Sequence, residues 1–106
     1  MAKYLFRINY TLDGVKGVLA KGGTAHKAAA TAAVKSAGGK LDSFYFAFGR
    51  TDVYVIADMP DHTAAAALAL TVSAGGGATV ETTVLITAEE IDSAAEKNVK
   101  YKPPGS

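Results

Sequence analysis

The side chains with chemical potential are few, and most of them lie in one aromatic stretch. The chain has an imidazole at His26, and the stretch KLDSFYFAFGRTDVYVIADM (residues 40–59) adds the phenols of Tyr45 and Tyr54 and the carboxylate of Asp52. An imidazole can shuttle protons or bind a metal, and a carboxylate beside phenols can act as a base. Few polar groups among apolar walls are typical of small-molecule pockets. We therefore expect any ligand site to lie near these four residues.

Each of these residues also has a purely structural interpretation. Asp52 follows a glycine-containing turn, where its carboxylate either accepts hydrogen bonds from turn amides or serves as a base beside Tyr54. His26 lies on the same side of its helix as Ala29 and Ala33, so we expect it to be partly buried, either as a packed helix residue or as a proton carrier. No further ligand stands at a useful spacing from it, so we expect no metal site and no cofactor. The sequence assigns no catalytic residue.

A second polar set lies on strands near the two ends of the chain. Arg7 and Asn9 fall on the polar side of the first strand and Glu81 on that of the last, and we expect these strands to be apart in the sheet or separated by neighbours. In one interpretation these side chains form interface salt bridges or meet solvent. In the other they orient a polar ligand inside a dimer, with Tyr45 and Tyr54 offering phenol hydrogen bonds. Both interpretations stay open.

Hydrophobic periodicity predicts the strands. Residues 3–10 alternate, with Tyr4, Phe6, Ile8 and Tyr10 on one face. The aromatic stretch predicts a β-hairpin that turns at residues 49–52. We expect its Phe46 to lie in the core, between the hairpin and the alanine-rich helices.

Helices are predicted between and after these strands. The alanine-rich segment before the hairpin ends at Gly38 and Gly39, and the side expected to pack consists of Ala25, Ala29, Ala32, Ala33 and Ser36. The helix after the hairpin begins at the cap Asp61 and buries Ala65, Leu68, Ala69 and Val72. A capping-box pattern at Thr87–Glu90 opens a short last helix, whose inward residues should be Ile91, Ala94 and Ala95.

The resulting order predicts an α+β fold, a ferredoxin-like β-α-β-β-α-β sandwich with a C-terminal helix. Its helices cover one face of the sheet. The hairpin strands are apolar on both faces, which indicates that the second face is also covered. We therefore expect the chain to associate with itself, as a homodimer or higher oligomer.

Composition limits the function classes. The 106 residues form one expected domain, 1–106, whose tail 98–106 should be extended because prolines block a helix. A net charge of +1 with scattered lysines argues against a nucleic-acid partner, and apolar runs are too short to span a membrane. With no cysteine and no signal-peptide pattern, the expected location is cytoplasmic.

Several segments resemble a known family. They are KYLFRINYTLDGVKGVLAKGG, GGKLDSFYFAFGRTDVYVI, DMPDHTAAAALAL, TTVLITAEE and YKPPG. Together they make the chain similar to the GYD-domain family of small bacterial proteins. The Gly-x-Tyr-Asp turn of that family corresponds to Gly49, Thr51 and Asp52, with Thr51 in place of the usual tyrosine. The resemblance implies a relationship to the dimeric α/β barrels, in which two sheets pair face to face, and it implies no established reaction.

Two functional hypotheses follow. The first is a homo-oligomeric small-molecule-binding or assembly protein of the GYD type. The alternative is an enzyme, a cofactor-independent monooxygenase or isomerase that uses the barrel cavity, with His26, Asp52 or a tyrosine moving protons. A closed apolar cavity with converging polar groups would favour the enzyme.

Overall fold

The computed structural model describes residues 1–105, and these form a four-stranded antiparallel sheet and four helices. The elements in chain order are β1 (Ala2–Tyr10), α1 (Leu12–Lys21), α2 (Gly23–Ser36), β2 (Lys40–Phe46), β3 (Val53–Met59), α3 (His62–Ala74), β4 (Ala78–Leu85) and α4 (Ala88–Ala95). The strand order is β2-β3-β1-β4, so β1 lies inside the sheet between β3 and β4. The predicted α+β class is confirmed.

The alternation along β1 and β3 sorts apolar side chains onto the helix-covered face. Tyr4 and Phe6 of β1 are buried, and β3 buries every second residue from Val53 to Met59. The helices add Val34 from α2 and Leu68 from α3 to the same core. Because side chains of a strand alternate between faces, the residues between these positions lie on the opposite, open face of the sheet.

The buried side of α2 differs from the expected one. Its inward residues are Ala30, Ala33 and Val34, and Ala37 at its C-terminal cap packs on the same core. Ala25, Ala29, Ala32 and Ser36 are exposed, so of the expected set Ala33 alone packs on the sheet. A helix made largely of alanine carries little contrast between its faces, and Val34 is the one large apolar residue in this segment, so it decides which face turns inward.

Phe46 is not in the core, contrary to the expectation. Its side chain is 43% exposed, and its ring lies over Gly23 at the start of α2. Phe46 ends β2, which is an edge strand of the sheet. The helix that covers this corner, α2, begins with Gly23, which has no side chain to enclose the ring. One side of the Phe46 ring therefore contacts α2 and the other side is exposed.

The junction between β1 and α1 is tied to the loop after α3. The Thr11 side chain caps α1 by accepting from the Gly14 N–H, and its hydroxyl donates to the Gly76 carbonyl at 2.8 Å. The Thr11 N–H donates to the Gly77 carbonyl at 3.0 Å. A Cβ at Gly14 would collide with the Gly77 carbonyl and lie 2.9 Å from the Tyr10 ring. Glycine is therefore required where α1 crosses this loop.

The last helix projects away from the sheet. The predicted capping box is confirmed, because Thr87 and Glu90 exchange side-chain and backbone hydrogen bonds. The expectation that α4 packs inward is wrong, since every residue from Ala88 to Ala95 is exposed. The radius of gyration is 16.9 Å, against about 13 Å for a compact chain of this length. Residues 96–105 continue without helix or strand, and Ser106 of the predicted tail lies outside the described residues.

Candidate functional site

A groove of about 350 Å³ lies at the corner of the sheet where β1 ends. Its walls come from α1, the start of α2 and the end of β2, and its lining residues are Tyr10, Val15, Val18, Leu19, Gly23, Phe46, Ala47, Phe48 and Asp52. Most of these side chains are apolar. The polar residues of the lining are Tyr10 and Asp52, so a bound molecule would meet few hydrogen-bonding groups and mostly hydrocarbon.

Asp52 is held in the groove by three hydrogen bonds to the end of β1. Its Oδ2 accepts from the backbone N–H of Tyr10 at 2.9 Å. Its own N–H lies 3.0 Å from the Ile8 carbonyl and 3.1 Å from Asn9 Oδ1, and it donates to both. Asp52 also accepts from the Ala47 N–H through its carbonyl at 2.8 Å. The loop between β2 and β3 therefore has a fixed position against β1.

The Tyr10 side chain packs against α2. Its ring meets the His26 imidazole edge to face, with centroids 5.7 Å apart. Burial raises the pKa of the Tyr10 phenol above its usual value, and the negative charge of Asp52 raises it further. The phenol is therefore protonated at neutral pH, so it can donate a hydrogen bond to a ligand.

His26 supports the groove from outside its lining. The half-buried imidazole lies beneath α1, where a Cβ at Gly17 would be 3.6 Å from its Nε2. The ring fills the space that this glycine leaves and backs the Tyr10 ring. The expectation of partial burial is confirmed, and the arrangement makes His26 a residue that positions Tyr10.

The six residues predicted for a ligand site fall into two groups. His26 and Asp52 lie at the groove, and Asn9 is linked to it through Asp52. Arg7, Tyr45 and Tyr54 lie on the open face, where Tyr45 pairs with Tyr54 and Tyr54 pairs with Arg7 in the sheet register. The structure does not bring the two groups together, because the sheet separates them.

Arg7 and Glu81 lie side by side on the open face, so the expectation that their strands are apart is wrong. Their strands, β1 and β4, are neighbours, the two residues are register partners, and Arg7 Nη2 lies 2.9 Å from Glu81 Oε2. The expectation failed because the first and last strands of the chain are adjacent in this strand order. Among the described residues, Arg7 Nε is buried without a hydrogen-bond partner.

Tyr10 is the site residue that sequence reasoning missed. The alternation of β1 placed it on the helix-covered face with Tyr4 and Phe6, which predicts a core residue. Its position supplies the missing signal, because it is the last residue of its strand, where helix cover ends and Thr11 already caps the next helix. A polar aromatic residue at such an edge has its ring in the core and its hydroxyl near solvent.

A comparison with protein families gives a match over most of the chain. The family model described as GYD domain matches residues 4–95. The chain belongs to the GYD-domain family. No curated protein and no solved structure is significantly similar to it. At the family turn, Thr51 is buried while Asp52 faces the groove, so the GYD turn gives the groove its carboxylate.

Two further findings concern the described part of the chain. Within residues 1–105, no group of three His, Asp or Glu side chains is arranged to hold a metal ion. None of the helices in that range has the length and apolar character needed to cross a membrane.

Proposed function

We propose that this GYD-domain protein binds a small, largely apolar molecule in the groove formed by Tyr10, α1 and the end of β2. The observation that carries the proposal is the groove itself, which has a volume of about 350 Å³, mostly apolar walls, and Tyr10 and Asp52 as the polar pair in its lining. A hydroxyl or amide group suits that pair, since it can accept from the phenol and donate to the carboxylate.

The geometry favours binding over proton transfer. A tyrosine base must ionise, and the raised pKa of Tyr10 disfavours its phenolate. One oxygen of Asp52 is already engaged by the Tyr10 N–H. The polar pair is therefore better suited to orienting a ligand than to the proton movements of a cofactor-independent monooxygenase or isomerase.

The proposal includes self-association through the open face of the sheet, as in a ferredoxin-like dimeric α/β barrel. Leu5 and Ile56 are register partners on that face and form its apolar centre. The neighbouring row of register partners on the same face consists of Tyr45, Tyr54 and Arg7. A sheet face with apolar residues at its centre and charged groups beside them resembles a subunit interface in composition.

The binding proposal is tested with 1-naphthol, which has two apolar rings and one hydroxyl. Fluorescence titration should detect binding to the unmodified protein. Tyr10→Phe should weaken it about fivefold, the equivalent of one net hydrogen bond of about 1 kcal/mol. Tyr45→Phe is the matched control, because it removes a phenol from the opposite face and should leave the affinity unchanged.

Two results would oppose the groove as the site. One is equal affinity in the unmodified protein and Tyr10→Phe, and the other is a weakening confined to Tyr45→Phe. Native mass spectrometry of protein purified from cells adds an independent test, because a natural ligand should be retained by Tyr45→Phe and lost or reduced in Tyr10→Phe.

A further inference from the structure

We infer that α4 of one chain docks on α1 of a second copy and covers the groove described above. The inference extends the proposed function, because it assigns the partner that closes an otherwise open site. Two observations carry it: an amphipathic helix, α4, in which every residue is exposed, and an exposed apolar stripe of matching length on α1.

The first surface is the stripe on α4. Ala88, Ile91 and Ala95 recur at helical spacing and share one face, and Ile91 is 53% exposed. Helices of eight residues are marginal in water even when capped. The capping box of Thr87 and Glu90 sets where α4 begins, and packing against another surface supplies the stabilisation that its length cannot.

The receiving surface is the exposed apolar stripe of α1. Leu12, Val15 and Leu19 repeat at the same helical spacing and are all exposed, Leu19 to 82%. Val15 and Leu19 also line the groove, and the fully exposed Phe48 lies at its rim. The small side chains of Ala88 and Ala95 leave room for leucine side chains between them, which allows the two helices to approach closely.

Charge favours this pairing. The segment from Glu89 to Glu96 carries four carboxylates and no basic residue. The segment from α1 through α2 carries four lysines against one aspartate: Lys16, Lys21, Lys27 and Lys35, with Asp13. Opposite net charges on the two segments orient an encounter and disfavour the pairing of α4 with another α4.

Chain length makes a second copy the occupant. The groove lies at the Tyr10 end of β1, whereas β4 leaves the sheet at the opposite end, since Leu85 pairs with Lys3. The seven register steps between these ends span about 24 Å. Ile91 follows Leu85 by three extended and three helical steps, which reach about 15 Å. The α4 of the same chain therefore falls short of its own groove.

Disulfide cross-linking tests the inference, because the chain has no cysteine of its own. Full-length Ile91→Cys is mixed with full-length Leu19→Cys under mild oxidation, and mixed dimers are identified by intact mass. The matched control is Ile91→Cys with Leu70→Cys, since Leu70 is 70% exposed on α3, away from the groove. We expect at least a fivefold excess of mixed dimer in the first mixture.

Equal yields in the two mixtures would overturn the inference. A single chain carrying both Ile91→Cys and Leu19→Cys should form intermolecular disulfides, and a monomeric internal disulfide as the main product would equally overturn it. Glu89→Lys with Asp92→Lys on the Ile91→Cys chain should lower the mixed-dimer yield severalfold. Since neither readout needs a ligand, failure here is distinguishable from failure of the 1-naphthol titration.

Discussion

The Asp52 carboxylate accepts a hydrogen bond from the backbone N–H of Tyr10, with 2.9 Å between Oδ2 and N. This contact joins residues 42 positions apart and lies where the wall of the groove meets the sheet. It gives Asp52 two roles in one position. One carboxylate oxygen fixes the end of β1, and the negative charge helps to keep the Tyr10 phenol protonated.

Removing this contact should destabilise the fold. Asp52→Ala leaves the half-buried Tyr10 N–H without its charged acceptor, so we expect the free energy of unfolding to fall by about 1.5–3 kcal/mol. Asp52→Asn should recover part of this, because its amide oxygen still accepts. The control is Asp42→Ala, which breaks an exposed ion pair with Lys3 and should cost less than about 1 kcal/mol. Urea denaturation measures all three, and similar small losses at Asp52 and Asp42 would contradict the structural role.

Stability should depend on alkaline pH through Tyr10. Its pKa in the folded state is raised by burial and by Asp52, whereas in the unfolded chain it is about 10. The unfolded state therefore loses this proton first, so the stabilisation is complete below about pH 10 and is lost as pH rises towards the folded-state pKa. Tm should fall less between pH 9 and pH 11 in Tyr10→Phe than in the unmodified protein. Parallel curves for the two proteins would be the contrary result.

Two phenylalanines should differ sharply in their contribution to stability. Phe6 is 2% exposed in the core, so Phe6→Ala should lower the free energy of unfolding by about 3–5 kcal/mol. Phe46→Ala should cost about half as much or less, because the half-exposed ring gains little from burial. Chemical denaturation of both variants provides the comparison. Equal costs would mean that Phe46 is buried in solution by a second chain or by a ligand.

Two glycines of α1 should respond oppositely to alanine. Alanine in a helix is favoured over glycine by about 1 kcal/mol. Gly17→Ala should show most of that gain, since the nearest atom to the new methyl group, His26 Nε2, is at an ordinary 3.6 Å. Gly14→Ala should instead lower Tm, because its methyl group collides with the Gly77 carbonyl. A stabilised Gly14→Ala variant would show that α1 is not held against this loop.

Self-association should depend on the open face. We expect light scattering to give at least a dimer at tens of micromolar. Ile56→Lys places a charge at the apolar centre of that face and should shift the protein towards monomer, since an unpaired charge in an interface must be desolvated. Thr31→Lys, on the exposed side of α2, is the control and should leave the mass unchanged. A monomer at this concentration in the unmodified protein would count against face-to-face pairing.

The strands could be predicted well from the sequence, because apolar and polar residues alternate along them and the apolar ones form the core. Tyr4 and Phe6 are buried as β1 predicted, and Ala65 and Leu68 are buried as α3 predicted. The buried face of α2 was predicted wrongly because alanines occur on all sides of this helix. The burial of Phe46 and Ile91 was predicted wrongly for another reason. Both are apolar residues at the margin of the fold, where the sequence pattern predicts the side on which a residue lies but not whether another element covers that side.

The two parts of the candidate site differed in how far they could be predicted. Asp52 and His26 could be predicted for the site because a carboxylate and an imidazole are residue types that carry chemistry. Their link through Tyr10 depends on the relative positions of β1, α2 and the loop before β3, which are distant in the sequence. The order of the strands in the sheet decides which distant residues lie close together. The same order explains why Arg7 pairs with Glu81.

The placement of β1 between β3 and β4 also has a consequence for synthesis on the ribosome. The first strand to be made has the last strand, β4, as one of its two partners. Until residue 85 has left the exit tunnel, the β4 side of β1 presents unpaired backbone groups, which can pair with other chains. Closure of this gap requires contacts between residues 68 to 82 positions apart, and such long-range pairing is slow to form. The nascent chain is therefore most prone to aggregation just before its final strand emerges.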